Sequence, residues 1–554
     1  MTPRPLPSRR AAWLLAAAGL VALKLWLVGA QSIFALTFAT HDDALFLARA
    51  QDLLAGDWLG PYHQLTLAHA PMYPLFIAAA WLAHVPLFTA QQVLHAAACA
   101  ALVAALRPLL RGPAPALLVF AVLLFNPVTF DAEIHARVLR QNLLPGLTLL
   151  VLAGVVGFVA RGDQSAGRAG RWLVLTAVAL PAFWLTRNES VWLLPALGVV
   201  GAYGAAVIWR TGRPDRGRRL ARLVLVPLAG WALGVGTVAA VNWRVYGVFT
   251  TTEFKQRDFN DAYGALCRVE PARWRQFIHV PREVRERLYP HSPAFAELRP
   301  HLEGDLGLAW AGISGAVHHI PAEEREIGAG WFMWALRDAV IRAGHGGSAP
   351  EVAAFYRRLA REVNAACDQG LVAAGPRRSG FLPPLRREHA VPFRDSALAA
   401  FRLLVRFDQM TVRTAPSLGT PEALAHFAHL TRGRLSPPAG AAAAPVPLES
   451  ARLAVLEALL RGYTFLSPWA GGAALLALAA AGVRAWRRRS VPFFLVLALA
   501  CAASLAALLA IVALINATSF PALTTGYLSG SYGLWLLFCL SGWLALAEPR
   551  PSTP

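Results

Sequence analysis

Apolar runs of about 20 residues recur through residues 1–244 and 451–554. A helix of that length crosses a hydrocarbon core about 30 Å thick. Of the 554 residues, 56% are hydrophobic and 15% are charged, whereas soluble domains carry about 25% charged residues. The sequence therefore predicts an all-α polytopic membrane protein.

Ten of these runs are predicted to span the membrane. The first is too long for the apolar part of a signal peptide and lacks a small-residue cleavage site, so we expect it to remain as a helix. The run 71–88 is bracketed by prolines, and counting it as a span would invert every later loop. We therefore predict a re-entrant or juxtamembrane helix there, on the outer side. The predicted spans are 12–37, 91–109, 114–129, 139–160, 171–186, 189–209, 221–243, 463–484, 491–514 and 528–547.

The charge of the chain predicts its orientation. The net charge is +20, and only Lys24 and Lys255 are lysines, so nearly all basic residues are arginine. With ten spans, the arginine clusters all fall on the side of the N-terminus, which the positive-inside rule makes cytoplasmic. We expect a multi-pass protein of a bacterial cytoplasmic (inner) membrane with its largest loop on the periplasmic or outer side. Arginines in loops between spans indicate contact with anionic membrane lipid, and nucleic acid is not an expected partner.

The predicted spans divide the chain into three segments. Residues 1–244 form an N-terminal membrane domain, which includes a first outer loop at 39–90. Residues 245–450 are long enough for a core of their own and are predicted to be a mostly helical extracytoplasmic domain. Residues 451–554 contain the last three spans.

The clearest element of the inserted segment is a helix over 348–370. Ser348 and Glu351 form an S-x-x-E capping box at its start. A regular apolar stripe on this helix predicts core packing, and the low-complexity stretch 436–449 is interpreted as a tether back to the membrane. The stripe consists of Val352, Phe355, Leu359 and Val363.

The chain contains five cysteines. Cys99, Cys501 and Cys539 lie in predicted spans, where we expect them to pack as small apolar residues. Cys267 and Cys367 both lie in the inserted segment, and two thiols in an oxidising compartment can pair; the sequence leaves a bridge or two free thiols open. No C-x-x-C, H-E-x-x-H or glycine-rich nucleotide loop is present, which argues against an ATP-driven pump.

Polar residues collect at the outer ends of the predicted spans. Charges near membrane depth are costly and usually face a cavity, so each is a candidate functional residue. The first outer loop contributes His41, Asp42, Asp43, Arg49, Asp57, His63 and His69. Later loops contribute Asp131, Glu133, His135, Arg137, Arg140, Asn142, Arg187, Glu189, Thr524, Thr525 and Tyr527.

The hairpin "TRNES" places a cation and a carboxylate between two apolar runs. Arg187 and Glu189 can form a structural pair that closes the hairpin. Alternatively, Arg187 can bind an anionic group, because a guanidinium donates two parallel hydrogen bonds to a phosphate.

The stretch "DAEIHARVLRQN" carries two arginines three positions apart. If a helix begins near Ala132, then Arg137, Arg140 and Gln141 share one face. Two guanidinium groups at that depth suit a phosphate or pyrophosphate. The alternative is that both arginines extend to the membrane interface, as long basic side chains commonly do.

The stretch "THDDALFLARAQDLLAGDW" places two adjacent carboxylates just after the first predicted span. One of them, near arginines, can act as a general base toward an acceptor hydroxyl or amine. Asp43 can hold a divalent metal or bind the acceptor. The alternative is a solvated turn that caps a helix over 43–55, since aspartate is a favourable N-cap residue.

These motifs resemble a known family. "HDDALFLARAQDLLAGDWLGP" and "AHAPMYPLFIAAAWL" resemble the first outer loop of the GT-C superfamily of membrane glycosyltransferases, closest to protein mannosyltransferases and lipid A aminoarabinose transferases. "TRNES" resembles their T-R-x-E hairpin. "TTGYLSGSYGLWLL" resembles their late R-Y-x-x-P-x-Y stretch, but Gly526 stands where the arginine is expected. The resemblance covers the membrane part of the chain and leaves 245–450 unaccounted for.

The resemblance implies roles for individual residues. Asp42 matches the catalytic base, and Asp43 matches the second acid of the pair, which is usually glutamate. His69 and Tyr73 match a basic residue and a tyrosine in a proline-rich stretch. Because the late arginine is missing, the donor phosphate is expected to be held by Arg137, Arg140, Arg187 and Tyr527. Further substrate contacts are expected from His69, Tyr73, Asp131, Glu133 and Glu189.

The implied function is transfer of a sugar, with inversion, from a polyprenyl-phosphate donor to a glycan, lipid or protein acceptor on the outer face of the membrane. No cofactor is required, because the leaving charge falls on the lipid phosphate, although a divalent metal is compatible with the site. The first alternative is a transporter or flippase of a lipid-linked or anionic substrate, which would also place charges in a central cavity. The second is a non-catalytic scaffold built around 245–450.

Overall fold

The computed structural model describes residues 9–187, 189–441 and 446–547. Every regular element in that part of the chain is helical, so the fold is that of an all-α polytopic membrane protein. The N-terminal helices are α1 (Arg9–Val28), α2 (Asp43–Ala55), α3 (Met72–Leu82), α4 (Leu87–Leu106), α5 (Pro113–Leu124), α6 (Leu144–Val159), α7 (Ala166–Trp184), α8 (Leu194–Arg210) and α9 (Arg216–Tyr246).

The remaining helices belong to the inserted segment and to the C-terminal spans. The inserted segment contains α10 (Arg257–Arg268), α11 (Arg282–Leu288), α12 (Pro293–Glu297), α13 (Arg299–Leu302), α14 (Asp305–His318), α15 (Ala329–Val340), α16 (Ala349–Asp368), α17 (Ala390–Arg406) and α18 (Pro421–Thr431). The C-terminal part contains α19 (Pro447–Arg488), α20 (Phe493–Thr518), α21 (Thr525–Leu528) and α22 (Tyr532–Ala547).

Each of the ten predicted spans coincides with one helix. Seven helices in the described residues are long and apolar enough to cross a membrane. These are α1, α4, α6, α8, α9, α19 and α20. The other three, α5, α7 and α22, contain 12, 19 and 16 residues. Helix α3, in the run 71–88, has 11 residues and is about 16 Å long; like α5, it is shorter than a hydrocarbon core is thick.

The first predicted span is too long at its C-terminal end. Helix α1 stops at Val28, and the chain then runs extended beside a later segment. Ile33 and Leu36 form parallel bridges with Leu435 and Leu418. The amides of Ile33 and Thr37 donate to the carbonyls of Arg434 and Leu418, so the backbone finds partners outside a helix. Asp42 therefore lies in a loop well past the helix, not at its end.

The eighth predicted span, 463–484, begins too late. Helix α19 has 42 residues and is about 63 Å long, roughly twice the thickness of a hydrocarbon core. Its first turns are rich in helix-forming and charged residues, and Glu449 there pairs with Arg434 at 2.5 Å. The helix thus extends beyond the apolar run. Residues 442–445 of the predicted tether lie outside the described residues.

The membrane helices share one core around α6, whose apolar window is 89% buried. Helix α6 packs against α4, α7 and α8, and α20 packs against α8 and α22. Lys24, on α1, is buried within this core. Its ammonium group donates to the carbonyl of Leu124 at 2.6 Å and to Oγ1 of Thr129 at 2.7 Å, so the buried charge is hydrogen-bonded.

The inserted segment contributes to two cores. Helices α10 to α16 enclose a separate core. We call residues 254–372, which contain these helices, the second lobe. The predicted stripe on α16 is buried in this core, as expected. In contrast, α17 packs against α20 and α19, and α18 packs against α2 and α3, so these two helices join the membrane core.

A buried ion pair ties the second lobe to the first loop. Glu253 and Arg337 are 1% and 2% exposed and pair with each other. The hydroxyl of Tyr62, in the first loop, donates to the same carboxylate. Since removing one partner of such a pair strands a buried charge, this contact fixes the lobe over the loop.

All five cysteines are free and buried, including Cys267 and Cys367 of the second lobe. We therefore predict five reactive thiols when the protein is unfolded without reductant. Titration with a thiol reagent in denaturant measures this number directly. A value of three would indicate a bridge and would contradict the structure.

Candidate active site

The two adjacent aspartates have different surroundings. Asp43, the first residue of α2, is completely buried. Its carboxylate accepts from Nη2 of Arg137 at 2.5 Å, from Nε of Arg137 at 3.3 Å and from the amide of Val138 at 3.3 Å. Burial raises the pKa of Asp43, and Arg137 partly offsets this effect. Asp43 therefore anchors the loop that carries Arg137.

The Arg137 loop corrects a second prediction. No helix begins near Ala132; residues 131–139 form turns, and a short 3₁₀ turn from Arg140 leads into α6. The loop is shaped instead by the Asp43 carboxylate and by Asp131. Arg137 and Arg140 thus do not share a helix face: Arg137 binds Asp43, and Arg140 is directed to a different partner.

Asp42 occupies the N-cap position of α2, but its side chain makes no capping hydrogen bond. Within the described ranges its carboxylate has no hydrogen bond or ion pair, and it is only partly buried. Its charge acts on Arg140 and Tyr527. A carboxylate that has no structural partner and interacts with a guanidinium charge can accept a proton from a bound molecule.

His69 connects Arg140 to the backbone beside Asp42. Nη1 of Arg140 lies 2.9 Å from Nδ1 of His69, and Nε2 of His69 lies 3.0 Å from the carbonyl of His41. Since arginine only donates, Nδ1 must accept and Nε2 must carry the proton. Burial, together with Arg140, holds the pKa of His69 well below its usual value. His69 is a neutral bridge that sets the position of Arg140 relative to the Asp42 loop.

The second lobe covers the same loop. The ring of His41 lies between Trp310 and Trp334, at centroid distances of 5.4 and 4.9 Å. Trp334 also contacts the ring of His69 at 5.8 Å. Both faces of the Asp42 loop are thus held, one by the membrane domain and one by the second lobe.

The hairpin "TRNES" brings a second arginine to this site. Nε of Arg187 donates to Glu189 at 3.1 Å, and its guanidinium lies 4.3 Å above the ring of Tyr527. Burial would raise the pKa of Glu189, but the charges of Arg187 and Arg140 outweigh it and hold the pKa at about 2. Of the two alternatives that the sequence left open, the structural pair is present, and the charge of Arg140 acts on it.

Lys255 joins the site although the motifs did not indicate it. Its ammonium nitrogen is buried without a hydrogen-bond partner in the described part of the chain. It lies 5.6 Å from the centroid of the Trp184 ring. The charge of Glu189 acts to raise the pKa of Lys255, and the charge of Arg140 acts to lower it. Burial lowers the pKa of Lys255. The available signal was its rarity, since it is one of only two lysines in the chain.

We call Arg140, Arg187 and Lys255 the basic cluster. Glu189 compensates one of its three charges through its pair with Arg187. Nε of Arg140 and Nζ of Lys255 are buried and have no partner among the described residues. Buried donors that lack partners are costly, so this cluster is suited to an anion that supplies several acceptor oxygens.

A small cavity of about 10 Å³ lies beside Arg187, with room for about one water molecule. Arg187, Glu189 and Tyr527 form its polar end. Its remaining walls are mostly apolar and come from the start of α6, from the hairpin and from α20. These residues are Leu144, Trp192, Leu508, Ile511, Val512, Ile515 and Gly530. The lining thus changes from polar to apolar over a short distance, and the space must widen to hold anything larger than a water molecule.

Two of the other predicted substrate residues, Asp131 and Tyr73, make hydrogen bonds within the protein. Asp131 is buried, which raises its pKa to about 6, and it accepts from the amide of Thr411 at 3.0 Å and from Oγ1 of Thr525 at 2.9 Å. The hydroxyl of Tyr73 is buried and accepts from Nε2 of Gln91 at 3.0 Å. Glu133 is exposed. Among the described residues, no group of three potential metal ligands occurs.

Comparisons with known proteins give few matches. No protein-family model matches the chain, and no curated protein matches it. Two solved structures of ArnT from Cupriavidus metallidurans are similar to it. The apo structure has 15% identity and a TM-score of 0.32, over 97% of this chain and 78% of that one. The structure bound to undecaprenyl phosphate has 16% identity and a TM-score of 0.32, over 96% and 77%. At these values the site's own geometry has to carry the functional argument.

The two aspartates should respond differently to the same substitution. Asp43→Asn strands the Arg137 charge and should lower the free energy of unfolding by about 2–3 kcal/mol, since Arg137 is partly exposed. Asp42→Asn removes no partner and should change it by less than about 0.5 kcal/mol. Thermal unfolding of the detergent-solubilised variants measures both. Equal losses would contradict the assignment of Asp43 as the anchor.

The Arg187–Glu189 pair should show a defined pH dependence. The pKa of Glu189 falls from 4.5 to about 2 on folding, so its stabilisation is present above the unfolded value and is lost as the pH falls toward 2. The stability difference between wild type and Glu189→Gln should therefore be largest above about pH 5 and shrink in acid. Thermal unfolding from pH 3 to 7 measures it. A difference that grows in acid would contradict the pairing.

Proposed function

We propose that this protein is a membrane glycosyltransferase. It transfers a sugar from a polyprenyl-phosphate donor to an acceptor, with inversion, and Asp42 is the general base. One observation carries the proposal: the Asp42 carboxylate has no structural partner among the described residues, and its charge acts on Arg140, a member of a basic cluster that Glu189 compensates only in part. The motifs of the first loop and of the hairpin resemble the GT-C superfamily, which is consistent with this chemistry.

The basic cluster holds the donor phosphate. Arg140, Arg187 and Lys255 supply donors from three separate segments of the chain, so a phosphate can be contacted from several directions. Charge-assisted hydrogen bonds to phosphate are about twice as strong as neutral ones. The apolar residues of α6 and α20 beside Arg187 then line the path of the lipid chain, which requires the small cavity there to widen on binding. A lipid-linked donor can thus be bound without leaving the bilayer.

Asp42 accepts the proton of the acceptor. The acceptor's hydroxyl or amine attacks the anomeric carbon of the donor sugar and loses its proton to the Asp42 carboxylate. The bond from that carbon to the phosphate oxygen breaks on the opposite face, so the configuration inverts. The electron pair of the broken bond stays on the lipid phosphate. The basic cluster stabilises this developing negative charge, which is the largest electrostatic change in the reaction.

The remaining residues hold these groups in place. Asp43 fixes the Arg137 loop to α2, and His69 sets the distance between Arg140 and the backbone next to Asp42. Such positioning matters because small displacements of reacting groups reduce rates strongly. We place the protein in a bacterial cytoplasmic membrane, with the site and the second lobe on the outer face, as the arginine distribution predicts.

Asp42→Asn should abolish most sugar transfer. Removal of a general base typically reduces turnover by about 10²–10⁴-fold, whereas donor binding should remain because the basic cluster is intact. Asp57→Asn is the matched control, because Asp57 is an exposed carboxylate of the same loop. Transfer from a polyprenyl-phosphate sugar by purified protein measures turnover. Full activity of Asp42→Asn would refute the catalytic role.

Lys255→Met should weaken donor binding. Loss of one charged hydrogen bond to a phosphate costs about 1.5–3 kcal/mol, which is roughly 10- to 150-fold in affinity. Arg257→Gln is the control, because that side chain is exposed and its ion pair is at the surface. Binding of a polyprenyl phosphate to each variant measures the effect. Equal affinities for Lys255→Met and wild type would remove Lys255 from the phosphate site.

A further inference from the structure

A second polar cavity lies between the second lobe and the membrane core, apart from the residues assigned above. Its volume is about 300 Å³. Its walls come from the chain after α10, from the chain between α16 and α17, and from the end of α20. The residues that matter for its chemistry are Arg268, Glu270, Trp274, Arg275, His279, Arg378, Arg386 and His389.

The cavity lies at the level where α20 ends. Nε2 of Gln276 donates to the carbonyl of Ala517 at 3.0 Å. Nε2 of His279 lies 3.0 Å from the carbonyl of Thr518, the last residue of α20. Because α20 is one of the helices long and apolar enough to cross a membrane, these contacts place the cavity floor at the membrane surface.

The cavity has uncompensated positive charge. Arg268 pairs with Asp368 at 2.6 Å, and Arg275 pairs with Glu326 at 3.0 Å. Arg378 and Arg386 have no ion pair within the described ranges. Glu270 is the one carboxylate among the lining residues, and it is exposed. Two arginines against one solvated carboxylate leave a net cationic site.

Arg378 is partly buried. Its Nη2 donates to the carbonyl of Leu382, and its Nε is buried without a partner in the described residues. Its charge acts on the neighbouring Cys267 and His279. Burial lowers the pKa of His279 to about 4. This histidine is therefore neutral near pH 7, and the positive charge of the cavity comes from the arginines.

Trp274 supplies an amphipathic wall. Its ring contacts His389 edge-on, with centroids 5.2 Å apart. Tryptophan is enriched at the level of lipid headgroups, where one part of the ring meets apolar chains and another meets water. An arginine pair and a tryptophan at the end of a membrane helix together match the headgroup region of a bilayer.

We propose that this cavity binds the phosphate of an anionic lipid headgroup. Arg378 and Arg386 donate to the phosphate oxygens, Trp274 packs against the rest of the headgroup, and the acyl chains lie along the membrane side below Thr518. The inference concerns binding alone and does not depend on the proposed sugar transfer. Its test therefore uses no activity measurement and can fail while the proposed function stands.

The test is lipid binding by the purified full-length protein in detergent. Phosphatidylglycerol and phosphatidylcholine are compared as probes, with Arg378→Gln/Arg386→Gln beside wild type. Each arginine near an anionic membrane surface contributes about fivefold in affinity, so the double variant should bind phosphatidylglycerol at least tenfold more weakly. Arg387→Gln is the matched control, because it removes the same charge from an exposed neighbour outside the cavity. It should bind like wild type.

Two further measurements separate the possible outcomes. The first is the single variant Arg386→Gln, which is needed because Arg378 also binds the Leu382 carbonyl and its loss could disturb folding. Arg386→Gln should bind phosphatidylglycerol about fivefold more weakly, with an unchanged thermal unfolding midpoint. Inorganic phosphate is added as a competitor. Unchanged binding by the double variant would overturn the proposal. Equal binding of both lipids, with phosphate bound at millimolar concentration, would assign the site to a free anion instead and would also overturn it.

Discussion

The buried pair between Asp43 and Arg137 determines the arrangement of the candidate site. It joins the first helix of the outer loop to a turn more than 90 residues away. With that turn held, Arg140 follows at a fixed position at the start of α6. Since Asp43 is committed to Arg137, its neighbour Asp42 is left without a structural partner. One aspartate supports the loop and the other is available for chemistry.

The site is then completed from parts of the chain that are distant in sequence. His69 bridges Arg140 and the backbone beside Asp42, the hairpin contributes Arg187, and the start of the inserted segment contributes Lys255. The charges of Arg140, Arg187 and Lys255 are buried and only partly compensated by Glu189. In the proposed function they bind the phosphate of a lipid-linked donor, since charge stabilisation is strongest in a region of low dielectric.

Much of this could be predicted from the sequence. Hydropathy located ten helices, and the 3.6-residue period located α16, because both signals depend on local sequence alone. The course of residues 29–41 and the turn at 131–139 could not be predicted, since their backbones are held by Leu418, Leu435 and the Asp43 carboxylate. Lys255 was missed for the same reason: no motif surrounds it, and only tertiary packing brings it to the basic cluster.

The central claim is that the basic cluster binds a lipid phosphate within reach of Asp42. A high-resolution structure of the protein with a bound polyprenyl phosphate tests it most directly. The account predicts phosphate density within hydrogen-bond distance of Arg140, Arg187 and Lys255, with the lipid chain between α6 and α20. Phosphate density elsewhere, with these three side chains unchanged and uncontacted, would contradict it.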